Sequence, residues 1–125
     1  MTSEQSTDAE ARAAPKLSIV IPTLNERDNI APLGESVEKT LGDLSWEVIF
    51  VDDDSPDGTY DEVNRIAQAE PRVRCLRRVG RRGLSSAVIE GMLVATASAI
   101  AVMDADVQHD ESELPEMYRR LTDAR

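Results

Sequence analysis

The chain has 125 residues, which is the size of one domain, with a formal net charge of −10 and 41% hydrophobic residues. This apolar share is enough for a buried core and excludes a wholly disordered chain. The acidic balance argues against a general nucleic-acid-binding protein, because such a protein needs a basic face. A single cysteine, Cys75, excludes a scaffold held together by internal disulfides.

The sequence contains no run of about 20 apolar residues that would predict a membrane span. Its N-terminal residues also lack the apolar core of a secretion signal. We therefore expect a cytoplasmic protein in a reducing compartment, with peripheral attachment to the cytoplasmic face of a membrane left open.

Residues 1–16 are rich in Ser, Thr, Glu, Asp and Ala without an apolar period, and they predict a disordered N-terminal tail. The domain is expected to occupy residues 17–125. Short apolar or alternating segments within it predict four strands. These segments are 17–21, 47–51, 73–77 and 100–103.

Helical patterns separate the predicted strands. The first helix is expected to begin near Asp28, so that Pro32 falls in a first turn whose amides have no internal partner. The second begins at Thr59, which has capping-box spacing to Glu62. The third covers 84–97, where small residues predict close packing on a sheet, and a last helix covers 114–121.

Alternation of strands and helices predicts an α/β fold with a mostly parallel sheet in three α/β/α layers. The residues that follow each strand then lie at the carboxyl edge of the sheet, where open α/β sheets bind ligands. Polar or glycine-rich segments follow all four predicted strands. They are 22–26, 52–58, 80–83 and 104–108.

Asp104 and Asp106 come directly after the fourth predicted strand, and Gln108 follows them. Two carboxylates and an amide oxygen are hard ligands that suit Mg²⁺ or Mn²⁺. We interpret the three residues as a metal site. The alternative is that the aspartates stop the strand and cap the next helix.

A second acidic cluster, Asp52 to Asp54, follows the second predicted strand. Adjacent carboxylates repel one another, which is costly unless they have separate uses. We interpret Asp53 as a ligand for a nucleobase, and Asp54 and Asp57 as caps of the helix that begins at Thr59. The alternative is that the whole cluster is an acidic turn.

Six arginines lie between residues 72 and 82. We interpret most of them as solvated charges that protect an exposed edge strand from pairing with other chains. Arg82 is the exception, because it stands beside Gly83, where the backbone allows close approach of a ligand. A guanidinium there is the candidate ligand for a diphosphate.

Together the segments 19–30, 51–59, 82–91 and 102–109 resemble, in order, the family 2 glycosyltransferases of the GT-A fold. More narrowly, they are similar to dolichol- or polyprenol-phosphate mannosyltransferases. The resemblance implies the nucleotide-binding half of a Rossmann-like GT-A domain, truncated at the C-terminus, with Asp104 and Asp106 as catalytic residues. The nucleotide-sugar-binding residues expected on this basis are Pro22, Leu24, Glu26, Val51, Asp53, Arg82, Asp104, Ala105, Asp106 and Gln108.

The resemblance also implies the chemistry: an inverting transfer of a sugar, with Mg²⁺ or Mn²⁺ held by Asp104, Asp106 and Gln108. The expected donor is GDP-mannose and the expected acceptor a polyprenyl or dolichyl phosphate at a membrane surface. The sequence departs from the family pattern at Leu24, where an aromatic residue is common, and at 110–112, where Asp-Glu-Ser replaces Pro-Pro-Glu.

Two other hypotheses remain open at this point. A receiver-like signalling module that accepts a phosphoryl group also places acidic residues around Mg²⁺. Such a module needs an acidic pair on the first strand and a lysine near the last, whereas lysine occurs only at positions 16 and 39. The second alternative is a non-catalytic remnant that binds nucleotide.

Overall fold

The structure is a computed structural model and describes residues 15–41 and 44–105. The predictions for the tail at 1–14 and for the helix at 114–121 lie outside these residues. The elements in chain order are β1 (Leu17–Thr23), α1 (Arg27–Leu41), β2 (Trp46–Asp52), α2 (Thr59–Ala69), β3 (Val73–Arg77), α3 (Leu84–Val94) and β4 (Ala99–Val102).

In the described part of the chain, all strand pairs are parallel and the strand order is β3-β2-β1-β4. The predicted α/β class and parallel sheet are therefore confirmed. Strand β1 pairs over its whole length with β2, from Leu17 opposite Trp46 to Thr23 opposite Asp52. On its other side β1 pairs with the shorter β4, beginning with Leu17 opposite Ala99.

Helices cover both faces of this sheet, which gives the predicted three layers. On one face, α1 buries Ile30, Leu33 and Val37 against the sheet, and α2 adds Val63 to the same core cluster. Burying such side chains stabilises a fold by about 2 kcal/mol each. On the other face, Ala87 of α3 packs in a smaller cluster.

Helix α3 lies unusually close to the sheet, as its small residues predict. A Cβ atom added at Gly91 would lie 2.4 Å from Val20 Cγ1 and 3.0 Å from Val51 Cγ2. Because neither valine can move in a close-packed core, only glycine fits at this crossing. The close contact brings the start of α3 to the carboxyl edge of the sheet.

Helix α1 starts within one residue of the predicted Asp28, but two other expectations near the helix starts were wrong. Helix α1 begins at Arg27, so Pro32 lies in the second turn, where it removes the hydrogen bond that an amide would give to the Asp28 carbonyl. No capping box forms at α2: Gly58 precedes the helix, and the Thr59 hydroxyl donates to Asp57. Competition from this neighbouring carboxylate explains the second difference.

Some element ends also differ from the predictions by one to three residues. The first two strands are longer than expected, and α3 ends at Val94 instead of continuing to residue 97. Among the described residues, no helix is long and apolar enough to cross a membrane.

Candidate functional site

A cleft of about 380 Å³ opens at the carboxyl edge of the sheet. It lies where the chain order reverses, with β2 on one side of β1 and β4 on the other, and such switch points are the usual ligand sites of open α/β sheets. The loops after β1, β2 and β4 and the start of α3 meet there. The lining residues are Pro22, Thr23, Leu24, Glu26, Asp53, Arg82, Gly83, Leu84, Ala87, Asp104 and Ala105.

Most of the residues predicted to bind the nucleotide sugar come together in this cleft. They are Pro22, Leu24, Glu26, Asp53, Arg82, Asp104 and Ala105. The side chain of Val51 does not line it, because it points to α3 and is fully buried in the smaller core cluster. Asp106 and Gln108 lie outside the described residues.

The three consecutive aspartates have three different environments, which relieves their mutual repulsion. Asp52 is fully buried and accepts hydrogen bonds from the hydroxyls of Thr23 at 2.9 Å and Ser55 at 2.6 Å. Asp53 faces the cleft. Asp54 has a positive φ of 57° and pairs with Arg77 at 2.8 Å, so it does not cap α2 as predicted.

Asp57 lies one residue before Gly58, the N-cap of α2, and its carboxylate accepts the N–H of Thr59, the first helical residue, at 3.0 Å. The same carboxylate also accepts the Arg27 N–H at 3.2 Å. Burial works against ionisation of Asp57, yet these hydrogen bonds lower its pKa on balance. The start of α2 is thereby tied to the start of α1.

Further hydrogen bonds join the loop after β1 to the loop after β2. The Asn25 N–H donates to Ser55 Oγ at 2.9 Å, and the Glu26 N–H donates to Thr59 Oγ1 at 3.0 Å. These loop backbones are therefore held in place before any ligand binds, which lowers the entropy cost of binding. The part of the cleft formed by the loops after β1 and β2 is therefore preorganised.

Arg78 is an exception to the interpretation of most of the six arginines as solvated charges. Its side chain is 0% exposed and its Nε donates to Asp53 Oδ1 at 2.7 Å. A sequence signal existed, because Arg78 directly follows β3 and so lies at the carboxyl edge like the other candidates. The arginine run around it hid that signal.

The other arginines of the run mostly form ion pairs at the surface. Arg74 pairs with Glu47 at 3.0 Å, and Arg81 pairs with Glu90 at 3.0 Å. The hydrogen bond from Arg81 is the main reason that the pKa of Glu90 is lowered. Arg82 lines the cleft and forms no ion pair within residues 15–41 and 44–105.

Asp104 is exposed and lies on the cleft wall, directly after β4 and the buried Met103. Within the part of the chain that the structure describes, no three His, Cys, Asp or Glu side chains gather closely enough to hold a metal ion. The donor that is present fits a hard divalent cation, because a solvent-facing carboxylate is the ligand type that Mg²⁺ and Mn²⁺ prefer.

Cys75 is outside the cleft and unsuited to nucleophilic chemistry. It is half-buried on β3 against the larger core cluster. Burial and the nearby Asp52 raise the pKa of its thiol to about 12, against a smaller opposing effect of Arg77. The thiol therefore stays protonated at neutral pH and acts as a small packing residue.

A second polar cluster, which the sequence analysis missed, lies at the opposite edge of the sheet. The Glu47 carboxylate accepts hydrogen bonds from Ser18 Oγ at 2.6 Å and from the Thr96 N–H at 2.8 Å. Burial opposes the ionisation of Glu47, but these bonds and Arg74 together lower its pKa. No cleft-lining residue belongs to this cluster.

Two curated relatives resemble the chain over most of its length. A dolichol-phosphate mannosyltransferase of Pyrococcus furiosus is 41% identical over 106 residues, which are 85% of this chain and 30% of the relative. The dolichol-phosphate mannosyltransferase of Saccharomyces cerevisiae is 38% identical over 112 residues, with 85% and 41% covered. The chain thus spans less than half the length of these relatives.

Solved structures share the fold. The mannosyltransferase PcManGT of Pyrobaculum calidifontis, described in complex with GDP-Man and Mn²⁺, has a TM-score of 0.63 and 28% identity over 74% of this chain and 28% of its own. The glucosyl-3-phosphoglycerate synthase of Mycobacterium tuberculosis has a TM-score of 0.67 and 22% identity, with 97% and 43% covered.

The family match is the broadest of these findings. Residues 18–125 match the family described as Glycosyl transferase family 2, a range that includes the whole sheet except Leu17 and every residue that lines the cleft. This match favours the glycosyltransferase hypothesis over the receiver-like one. The chain belongs to glycosyltransferase family 2, with the GT-A type of nucleotide-binding fold.

Proposed function

We propose that the chain is the nucleotide-binding part of a metal-dependent, inverting glycosyltransferase that moves mannose from GDP-mannose to a dolichyl or polyprenyl phosphate. The observation that carries the proposal is the cleft at the carboxyl edge, in a chain of glycosyltransferase family 2. The names of the two mannosyltransferase relatives and the GDP-Man complex of PcManGT support this donor and acceptor.

The charges of the cleft support a nucleotide diphosphate that binds together with a cation. Glu26, Asp53 and Asp104 bring three carboxylates, and Arg82 brings one guanidinium. The buried guanidinium of Arg78, which does not line the cleft, offsets the charge of Asp53. The carboxylates of Glu26 and Asp104 would repel a diphosphate unless a cation lay between these carboxylates and the diphosphate.

The proposed ligands of Mg²⁺ or Mn²⁺ are Asp104, Asp106 and Gln108. A divalent ion at this position would offset the charge that builds up on the diphosphate leaving group. Mn²⁺ in the PcManGT complex supports the use of a divalent ion. Arg82 would hold the diphosphate from the α3 side of the cleft.

The proposed reaction is a single displacement. A phosphate oxygen of the acceptor lipid forms a bond to the anomeric carbon, while the bond from that carbon to the β-phosphate oxygen breaks and GDP leaves. Attack from the face opposite GDP inverts the anomeric configuration. The second pKa of a phosphate monoester is about 6, so the acceptor is ionised at pH 7 and needs no general base.

The first experiment measures binding of GDP to the chain by calorimetry, with and without Mn²⁺. We expect binding only with the metal, and a loss of about tenfold or more in Asp104→Asn. Asp61→Asn is the matched control, because Asp61 is exposed on α2 and does not line the cleft. Metal-independent binding, or equal losses in both variants, would contradict the proposed site.

The second experiment tests transfer itself. Radiolabelled GDP-mannose and dolichyl phosphate in anionic lipid vesicles are incubated with the chain and Mn²⁺, and the lipid phase is counted. Mannose in the lipid phase, released as the β-anomer, supports the proposal. Tight GDP binding without any transfer would favour the non-catalytic remnant instead, and a covalent phosphoryl adduct from acetyl phosphate would favour the receiver-like module.

A further inference from the structure

We infer that Arg78 is a positioning residue for the cleft: its buried guanidinium joins Asp53 to the turn at Gly83 and fixes the wall against which the nucleotide binds. We call Arg78, Asp53, Gly83, Ser86 and Glu90 the arginine clamp. The inference rests on the proposed function, because it assigns the clamp to nucleotide binding, but it concerns a residue that does not itself line the cleft.

Every N–H group of the Arg78 guanidinium has an acceptor, although the side chain is 0% exposed. Nε donates to Asp53 Oδ1 at 2.7 Å. One terminal nitrogen donates to Ser86 Oγ and to Glu90 Oε2, both at 2.9 Å. The other reaches Asp53 Oδ2 and the Gly83 carbonyl, both at 3.4 Å. Five donors therefore meet five acceptors, which is the full capacity of an arginine.

These acceptors belong to two separate segments of the chain, and each segment contributes residues to the lining of the cleft. Asp53 follows β2, whereas Gly83, Ser86 and Glu90 belong to the turn before α3 and to its first two turns. The Gly83 N–H donates to Asp53 Oδ2 at 3.0 Å and closes a ring of hydrogen bonds. Gly83 has a φ of +133°, a conformation that residues with side chains rarely adopt, so this turn requires glycine.

The clamp also decides what Asp53 presents to a ligand. A carboxylate has about four lone-pair positions, and Arg78 and the Gly83 N–H fill three of them. About one acceptor position is then left for a nucleotide. The buried guanidinium also offsets the negative charge of Asp53, which would otherwise repel the diphosphate.

Stability alone is a weak reason for such an arrangement. A buried ion pair loses much of its attraction to the cost of removing both charges from water, and an apolar pair often stabilises a core better. The position of the clamp explains the buried ion pair better. The clamp holds Asp53 and Gly83, which line the cleft, and it fixes both ends of the loop between Arg78 and Gly83, which carries Arg82. Lysine has three donors on one nitrogen and cannot join the same groups.

The test compares Arg78→Lys with Arg81→Gln, which removes an exposed arginine bonded to the same Glu90. We expect Arg78→Lys to weaken Mn²⁺-dependent GDP binding about tenfold, and Arg81→Gln to change it less than twofold. Amide exchange measured by NMR gives a second, nucleotide-free readout. The Gly83 N–H should be protected in the parent chain and in Arg81→Gln, and should exchange about tenfold faster in Arg78→Lys.

A further pair of variants covers the case in which Arg78→Lys does not fold. Ser86→Ala removes one acceptor of the clamp, and Ser85→Ala removes its exposed neighbour; both sites are at the surface. We expect about threefold weaker GDP binding in Ser86→Ala only. Equal GDP affinity in Ser86→Ala and Ser85→Ala, or parent-like affinity in a folded Arg78→Lys, would overturn the inference.

The two readouts also separate this inference from the proposed function. If the parent chain binds no GDP with Mn²⁺ or Mg²⁺, the proposed function fails and the nucleotide role of the clamp fails with it. If the parent chain binds GDP and the Gly83 N–H is unprotected, the proposed function stands and the clamp is refuted.

Discussion

Strand β2 has a buried carboxylate near each end. One of the two carboxylates only supports the fold, whereas the other helps to form the candidate site. Glu47, near the start of β2, is 8% exposed, and Asp53, directly after its last residue, is 7% exposed. Glu47 is held mainly by the hydroxyl of Ser18 and the backbone and hydroxyl of Thr96. Asp53 is held by a fully buried arginine.

The difference lies in what surrounds each carboxylate. The Glu47 cluster fastens the connection between α3 and β4 to the amino edge of the sheet, where the strands begin. The arginine clamp fastens the other end of α3 to the carboxyl edge, where the cleft opens. Burial of a carboxylate alone therefore does not identify a functional group; its place at the edge that binds ligands does.

The largest expected effect is the loss of stability in Asp53→Asn. The substitution leaves the buried guanidinium of Arg78 with Glu90 as its one remaining anionic partner in the described chain, which is expected to cost about 3 kcal/mol. Urea unfolding followed by circular dichroism measures the change. Asp54→Asn, at the partly exposed neighbour, should cost less than about 1 kcal/mol. Similar costs for both would break the contrast.

Glu47→Ala is expected to have the next largest effect on stability. It leaves the Ser18 hydroxyl and the Thr96 N–H without their acceptor, which costs about 2 kcal/mol. GDP affinity should stay within twofold of the parent chain, because the cluster is remote from the cleft. A loss of affinity comparable to that of Arg78→Lys would show that the two ends of β2 are not independent.

Protonation of Glu47 in acid should reduce the stability of the fold, but by less than removal of its side chain does. Its pKa lies below the ordinary value of 4.5 in the folded chain, so it contributes stability above that value and loses it as the pH falls through the folded pKa. Urea midpoints measured as the pH falls below about 4.5 should decrease less steeply in Glu47→Gln, which does not titrate. Equal slopes in the two chains would contradict the prediction.

The smallest expected effect is that of Arg74→Ala. Arg74 reaches Glu47 at 3.0 Å from the surface with 43% of its side chain exposed, so water screens the pair. The cost in unfolding free energy should be less than about 1 kcal/mol and should shrink further in 0.5 M NaCl. A cost as large as that of Glu47→Ala would mean that the ion pair, and not the hydroxyl and amide donors, stabilises this carboxylate.

The parallel fold was predictable from sequence because its signals are local. Apolar β-branched runs such as 17–21 and the helical spacing of Ile30, Leu33 and Val37 fix the type of each element within a few residues. The details that were wrong depend on neighbours in space. Thr59 does not form a capping box because Asp57 takes its hydroxyl, and Pro32 is tolerated in a second turn because packing of α1 outweighs one lost bond.

The candidate site was predictable only as a set of loops at one edge. The rule that ligands bind at the carboxyl ends of parallel strands selected Asp53 and Asp104 without knowledge of their contacts, whereas Glu26 was expected from the family resemblance. The resemblance also implied Val51, but the side chain of Val51 points to the core. The roles of Asp106 and Gln108 stay predictions.

The sequence by itself determined the order of elements and the edge at which polar residues gather, because hydrophobic periodicity and strand direction follow from neighbours along the chain. Only the tertiary structure decided which charges are buried. Six arginines look alike between positions 72 and 82, yet only the approach of α3 to the end of β2 encloses Arg78 and gives all five of its N–H groups an acceptor. Desolvation and hydrogen-bond geometry depend on the enclosing elements, and these come together only when the chain has folded.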